Sequence, residues 1–252
     1  MQHNAKERAK TTKQSQDTLT RSQARTTITI QNATQRTTRV STPRLYADMI
    51  RQAWRTPRTF YRVLDWEFCF DIDAAASEYD TKHNYFFDIA LNALHIPQWS
   101  VPEKVNWIGR DVVKRVLRNV NGKRKFKRVF CNPGFANLLP WYKKAYEQVS
   151  LPPAQRCDVV VVLGLNGSSK AMQFAERYAT EIREILPRIN FDVPIDPQTK
   201  QPYTDVKQSS NAHNNVVCIF RPPMKYNLAH DPLCRKFLWE LPRNAIHTAK
   251  EK

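Results

Sequence analysis

Glycine is scarce in this chain, with five in 252 residues. Neither a G-x-G-x-x-G fingerprint nor a G-x-x-x-x-G-K-[ST] loop occurs, so the glycines that bring backbone against a pyrophosphate or cradle a triphosphate are missing. That excludes the usual dinucleotide-binding and nucleotide-hydrolase classes. Cysteine is equally uninformative as a scaffold: Cys69, Cys131, Cys157, Cys218 and Cys234 are odd in number and contain no C-x-x-C pair. They read as reduced thiols of a cytoplasmic protein, neither a disulfide frame nor a zinc site. No apolar run reaches the length of a membrane span, and no apolar stretch follows the N-terminus as in a secretory leader, so neither membrane insertion nor secretion is expected. Acidic residues are in deficit too. Asp plus Glu number 23 against 40 Lys plus Arg, a net charge of +17. Such a surplus favours a polyanionic partner, nucleic acid first and an anionic membrane surface second.

What is present divides unevenly. Residues 1–42 are rich in Thr, Gln, Ser and Arg and almost devoid of aromatics. They cannot bury enough surface to offset the entropy of ordering, so a disordered basic tail is expected, either adding phosphate affinity or simply solvated. From Pro43 to about residue 224 the pattern is that of a folded domain. Leu45, Met49, Ile50 and Ala53 fall at helical spacing. Thr56-Pro57 then starts a helix carrying Phe60, Tyr61, Leu64 and Trp66, with Thr as cap and Pro at its first position. Phe68 to Asp73 alternates like a strand and opens into Ala74-Ala75-Ala76-Ser77, small residues that let a ligand approach backbone. Asp71 and Asp73 are either ligand-facing acids or exposed strand-edge residues. Tyr85, Phe86 and Phe87 read as core or as a pocket wall.

Between 101 and 128 the chain is basic: Lys114, Arg115, Arg118, Lys123, Arg124, Lys125 and Lys127 lead the set. Val112, Val113, Val116 and Leu117 suggest a helical seam through it, closed by a turn at Asn121-Gly122. This segment is the best candidate for phosphate contacts with double-stranded DNA, the alternative being a solvated helix face. Asp158 to Leu163 is a β-branched run typical of a central parallel strand. A helix is expected after it, capped by serine and continuing to Leu186, followed by strands at 188–191 and 216–220. The long polar segment between those two strands suits a lid or a DNA-facing loop. A C-terminal extension, 225–252, holds Leu228, Leu233, Phe237, Leu238 and Trp239 and is expected to dock a helix. Strands alternating with helices predict an α/β sheet, mostly parallel, with helices on both faces.

The whole is organised around Arg128-Val-Phe-Cys-Asn-Pro-Gly-Phe135. Val129 to Cys131 read as the end of a buried strand, and Asn132-Pro133-Gly134 must break it. The same three residues also make an ordinary turn. At a sheet edge, however, they would offer an amide oxygen at Asn132, a carbonyl at Pro133 and a ring at Phe135. Two acceptors and a ring suit an exocyclic amine on a base taken out of its stack: they hold the amino hydrogens while nitrogen pyramidalises.

The order of these pieces resembles the phage-type DNA adenine (N6) methyltransferases. The resemblance runs from Trp54 to about Pro222, about two thirds of the chain. It is carried by Trp54-Arg-Thr-Pro57 with Phe60, by Phe70-Asp-Ile-Asp-Ala-Ala-Ala-Ser77, and by Asn132-Pro-Gly-Phe135 with Trp141. The run from Val159 to Leu163, Arg188-Ile-Asn-Phe191 and Val217-Cys-Ile-Phe-Arg-Pro222 complete it. It implies a Rossmann-like class I methyltransferase sheet with a terminal antiparallel pair. Thr56, Pro57, Asp73 and Ala74 would then lie in an S-adenosylmethionine pocket, with Asn132, Pro133 and Phe135 holding the target adenine. It further implies a phage-encoded enzyme whose methylation blocks restriction cleavage. One position departs from the family pattern of Asp or Asn, Pro, Pro, then Tyr or Phe: the third residue is Gly134. The expected function is therefore an adenine methyltransferase of DNA, the alternative a catalytically weak or inactive relative that binds DNA through its basic surface.

Overall fold

The apolar run beginning at Val159 is the spine of the structure. In the computed structural model, which describes residues 50, 52–204, 206, 214–223, 234–242 and 245, this run is strand β6 (Val159–Leu165) of a nine-stranded sheet. Val160 and Val162 face a core formed with helices α2 (Leu139–Ser150) and α3 (Lys170–Tyr178). Val159, Val161 and Leu163 face the opposite core, formed with helix α1 (Arg58–Phe68). A strand covered on both faces has no polar face to show, which is why its sequence is continuously apolar.

The remaining strands are β1 (Ile72–Asp73), β2 (Tyr85–Phe86), β3 (Lys104–Gly109), β4 (Val112–Arg118), β5 (Arg128–Cys131), β7 (Glu181–Leu186), β8 (Asn215–Phe220) and β9 (Arg235–Glu240). Across the sheet the order is β4-β3-β2-β1-β5-β6-β8-β7-β9. The pairs β1–β2, β1–β5, β5–β6 and β7–β9 are parallel. The pairs β2–β3, β3–β4, β6–β8 and β7–β8 are antiparallel. The sheet is thus mixed, a correction to the mostly parallel sheet expected from sequence, and helices do lie on both faces.

The main cause of that correction is the basic segment. Residues 104–118 form an antiparallel hairpin with Trp107 opposite Arg115, where a helical seam was expected. Apolar residues at 112, 113, 116 and 117 fit either period, and the valines, stiff at χ1, tip the balance towards a strand that pairs with β3, itself on the edge of β2. The turn at Asn121-Gly122 is present, both residues having positive φ.

α1 begins one residue later than expected, at Arg58, with Pro57 at its N-cap position and no side-chain cap from Thr56. It buries Phe60, Tyr61, Leu64 and Phe68, each worth about 1.5–3 kcal/mol, while Trp66 stays exposed. Cys69, in the left-handed region at φ 49°, ends it, so only Ile72 and Asp73 of the expected strand remain extended in the sheet. α3 is capped by Ser169, which accepts from Met172 N at 3.2 Å, but it stops at Tyr178. Ile182 and Ile185, read as its continuation, lie on β7, because Thr180 N and Oγ1 both donate to the Ile219 carbonyl and start sheet pairing there. Residues 188–191 form no strand: Ile189 and Phe191 bury their side chains from irregular backbone. The C-terminal segment supplies β9 where a helix was expected, while Leu228 and Leu233 lie outside the described residues, as do the basic tail and Leu45 and Met49; of the rest of the helix expected over Leu45, Met49, Ile50 and Ala53, Ile50 and Gln52 are helical and Ala53 is not. Arg183 on β7 ties α1 to the sheet through two 2.6 Å bonds to Glu67.

Candidate active site

The sheet positions a cleft by its connectivity. From β1 the chain moves to β2 on one side, and from β5 to β6 on the other, so the carboxyl ends of these adjacent strands leave a crevice between diverging connections. A cleft of about 330 Å³ occupies it. Ala74, Ala75, Ala76 and Ser77 come to it from β1, and Asn132, Pro133 and Gly134 from β5. Trp54, Tyr79, Phe87 and Trp141 supply aromatic walls.

Asn132 carries the informative polarity. Its Nδ2 donates to the Trp54 carbonyl at 3.3 Å, which leaves Oδ1 as the unused end of the carboxamide. That oxygen is buried and accepts no hydrogen bond. A buried acceptor without a donor costs about 1–3 kcal/mol and calls for an explanation. Pro133 is buried beside it. Phe135 does not reach the cleft and instead packs edge-on against Phe191 at 5.6 Å.

Of the residues expected around a cofactor, Ala74 lines the cleft and Asp73 lies just behind it. Asp73 Oδ1 accepts from Ala75 N at 3.3 Å and Oδ2 from Lys82 N at 3.1 Å, so the carboxyl holds the turn between β1 and β2 together. Burial first, and the nearby Asp80 second, push its pKa up to about 7. Burial pushes the Lys82 ammonium down, against the pull of Asp80 and Asp73. Asp71 belongs elsewhere. It accepts from Lys127 N and Arg128 N at 2.8 and 2.9 Å and pairs with the Arg128 guanidinium. Burial raises its pKa, but these bonds outweigh it and leave the carboxyl below its usual range. Thr56 and Pro57 are buried outside the cleft, and the two residues before them, Trp54 and Arg55, line it.

No protein-family model, characterised protein or solved structure matches this chain. The site therefore has to be read from its own residues.

Several of those escaped the sequence pattern. Gln52, Arg55, Tyr79, Asp80 and Ile195 all line the cleft. Asp80 accepts from Ser77 N and Oγ at 2.6 and 2.8 Å, a capping-box pattern used in a turn, and the Ser-x-x-Asp spacing was the available signal. Ile195 comes from the long polar segment, which also places Lys200 Nζ over the Tyr79 ring at 4.2 Å and in a hydrogen bond with its hydroxyl.

The basic residues separate into engaged and exposed. Lys114 is paired with Asp88, and Lys127 Nζ donates to the Arg156 carbonyl at 2.7 Å. Arg124 lies over Tyr85 at 5.0 Å and bonds its hydroxyl, and Arg115 lies over Trp107 at 4.7 Å. Arg115 and Arg124 are exposed despite these ring contacts, as are Arg118, Lys123 and Lys125. Among the described residues no helix is long and apolar enough to cross a membrane, and no three His, Cys, Asp or Glu are grouped to hold a metal ion.

Proposed function

We propose that this chain is an S-adenosylmethionine-dependent methyltransferase acting on N6 of adenine in double-stranded DNA. The observation that carries the reading is Asn132, which lines the cleft at the carboxyl ends of β1 and β5 and whose Oδ1 is buried without a donor. An acceptor left open there is what an amino group requires. Two further features support it. Segments far apart in sequence that resemble the adenine methyltransferases, Trp54-Arg55, Ala74 to Ser77, Asn132 to Gly134 and Trp141, converge on this one cleft. The strand order β2-β1-β5-β6-β8-β7, with β8 inserted antiparallel between β6 and β7, agrees with a class I methyltransferase sheet ending in an antiparallel pair.

The cleft fits the cofactor in kind. Ala74 to Ala76 let a ligand lie against backbone, and aromatic walls suit an adenine ring. When bound, S-adenosylmethionine supplies a methyl group already activated by its sulfonium, so no general base is needed to start the reaction. Asn132 Oδ1 and the Pro133 carbonyl would accept the two amino hydrogens of an everted adenine. That draws the nitrogen lone pair out of ring conjugation and aims it into the cleft. Because Phe135 packs on Phe191, stacking on the base passes to Trp54 and Trp141. Arg115, Arg118, Lys123 and Lys125 would contact phosphates.

The test is incubation of the purified protein with DNA and methyl-labelled S-adenosylmethionine. Label in N6-methyladenine that disappears with Asn132→Ala supports the proposal. Absence of label with the wild-type protein, alongside salt-sensitive DNA binding, would leave a DNA-binding protein without this activity.

A further inference from the structure

Gly134 replaces a proline of the family pattern, and the structure shows what the missing side chain makes room for. A Cβ on Gly134 would lie 2.6 Å from Oε1 of Gln52, 3.1 Å from its Cβ and 3.4 Å from its Cδ. Any side chain there displaces Gln52. Gln52 is itself held in place, since its Oε1 accepts from Ala136 N at 2.9 Å. Both residues line the cleft beside Asn132 and Pro133. With Oε1 committed, the remaining polar atom of the carboxamide is Nε2, and among the described residues nothing accepts its two N–H groups.

We infer that Gln52 and Gly134 form one recognition unit: the glycine admits the carboxamide, and Gln52 Nε2 donates to a ring nitrogen flanking the amino group of the target adenine. The inference deepens the proposed function and rests on it. Asn132 Oδ1 and the Pro133 carbonyl are acceptors and can read only the amino hydrogens. Adenine carries acceptors at N1 and N7 on either side of N6, so a neighbouring donor completes a complementary edge, and a glutamine carboxamide is well matched to that pattern. Guanine sets a carbonyl oxygen against the two acceptors in place of the amino group, and at N1 it also sets a donor against the Gln52 donor.

Binding of fluorescent oligothymidylates containing one adenine, one 1-deazaadenine or one 7-deazaadenine tests this without the methyl donor. The wild-type protein should bind the adenine strand about five- to tenfold more tightly than one of the two deaza strands, the value of one hydrogen bond. Gln52→Glu keeps an oxygen for Ala136 N and loses both donors, so that preference should vanish whatever happens to overall affinity. Equal binding of all three strands by the wild type, or an unchanged preference in Gln52→Glu, overturns the inference. The steric half is read separately by thermal unfolding. Gly134→Ala should lower the melting temperature less in a Gln52→Ala background than in the wild type, and equal losses overturn it. Methyl transfer without any deaza preference removes the Gln52 contact and leaves the enzyme. A deaza preference without methyl transfer does the reverse, and failure to bind any strand removes both.

Discussion

Asn132 and Trp54 are joined by a hydrogen bond across 78 residues, the side-chain amide of one donating to the backbone carbonyl of the other at 3.3 Å. The bond decides which end of the carboxamide is left for a ligand. An amide that donates to Trp54 must turn its oxygen elsewhere, and that oxygen is buried without a donor in a residue that lines the cleft. The segment before α1 therefore sets the polarity of a residue at the end of β5.

Asn132→Asp tests that relationship. It replaces the donor by a second acceptor facing the Trp54 carbonyl and should destabilise the fold by about 1–3 kcal/mol, while on the proposed function methyl transfer stays measurable, because an oxygen that accepts from the amino group remains. Urea unfolding gives the first quantity. A variant as stable as the wild type would show that Trp54 does not orient the amide.

Asp73 makes stability depend on pH in an unusual direction for an acid. Burial and Asp80 lift its pKa to about 7 in the folded protein, against about 3.9 in the unfolded chain. Between those values the unfolded chain has released a proton that the folded protein keeps, so this group's contribution is full below about pH 4 and is lost as pH rises through about 7. Asp73→Asn cannot titrate. Its stability relative to wild type should rise from about pH 4 to about pH 7 and then stay level, as followed by urea midpoints across that range. A constant difference would mean that Asp73 titrates normally.

Periodicity reads well where burial is symmetric and poorly where it is one-sided. β6 and β8 are covered on both faces, so their composition alone declared them strands. The break at Asn132-Pro133 was equally plain, because proline cannot continue a sheet ladder. The hairpin of β3 and β4 was not legible: much of β4 is exposed, and four apolar residues at 112, 113, 116 and 117 satisfy a helix or two strand faces. β7 was absorbed into α3 because Ile182 and Ile185 extend the helical stripe of Met172 and Ala175. What ends that helix is a bond from Thr180 to Ile219, a partner that no local pattern contains.

The same asymmetry holds for the site. Asn132, Pro133 and Ala74 were visible as strand ends, where a polar or small residue interrupts an apolar run. Gln52 is helical, Tyr79 lies in a turn and Ile195 in an isolated bridge with Pro202, and only the fold brings the three to the cleft. Phe135 was placed by adjacency alone, and Phe191 claims its ring.

Gly164 lies inside β6. The Tyr142 hydroxyl occupies the space that a Cβ on Gly164 would need, and Tyr142 Cζ would lie 3.1 Å from it. Gly164→Ala should therefore force α2 away from the sheet and cost about 1–3 kcal/mol. Adding Tyr142→Phe removes the closest atom but not the ring, so a double-mutant cycle should recover part of the loss. Strict additivity would show that the two residues do not compete for space.

The division of the basic residues into engaged and exposed predicts two kinds of variant. Lys114 is held by Asp88, whose hydrogen bond and charge raise the Lys114 pKa against the opposing effect of burial. Lys127 is tied to main-chain carbonyls near Arg156. Neutralising either should lower stability and leave DNA affinity nearly unchanged. Arg115, Arg118, Lys123 and Lys125 lie on or just after the hairpin with their charges at the surface. On the proposed function, replacing each by glutamine should weaken DNA binding on every sequence alike and reduce the slope of log affinity against log salt by about 1 for each phosphate no longer neutralised. Arg115→Gln should cost the most, because the guanidinium it removes is the one held in place by the Trp107 ring. Fluorescence anisotropy titrations at several salt concentrations measure both affinity and slope. If Lys114 and Lys127 variants changed the slope and the four surface variants did not, DNA would have to lie on another face of the sheet.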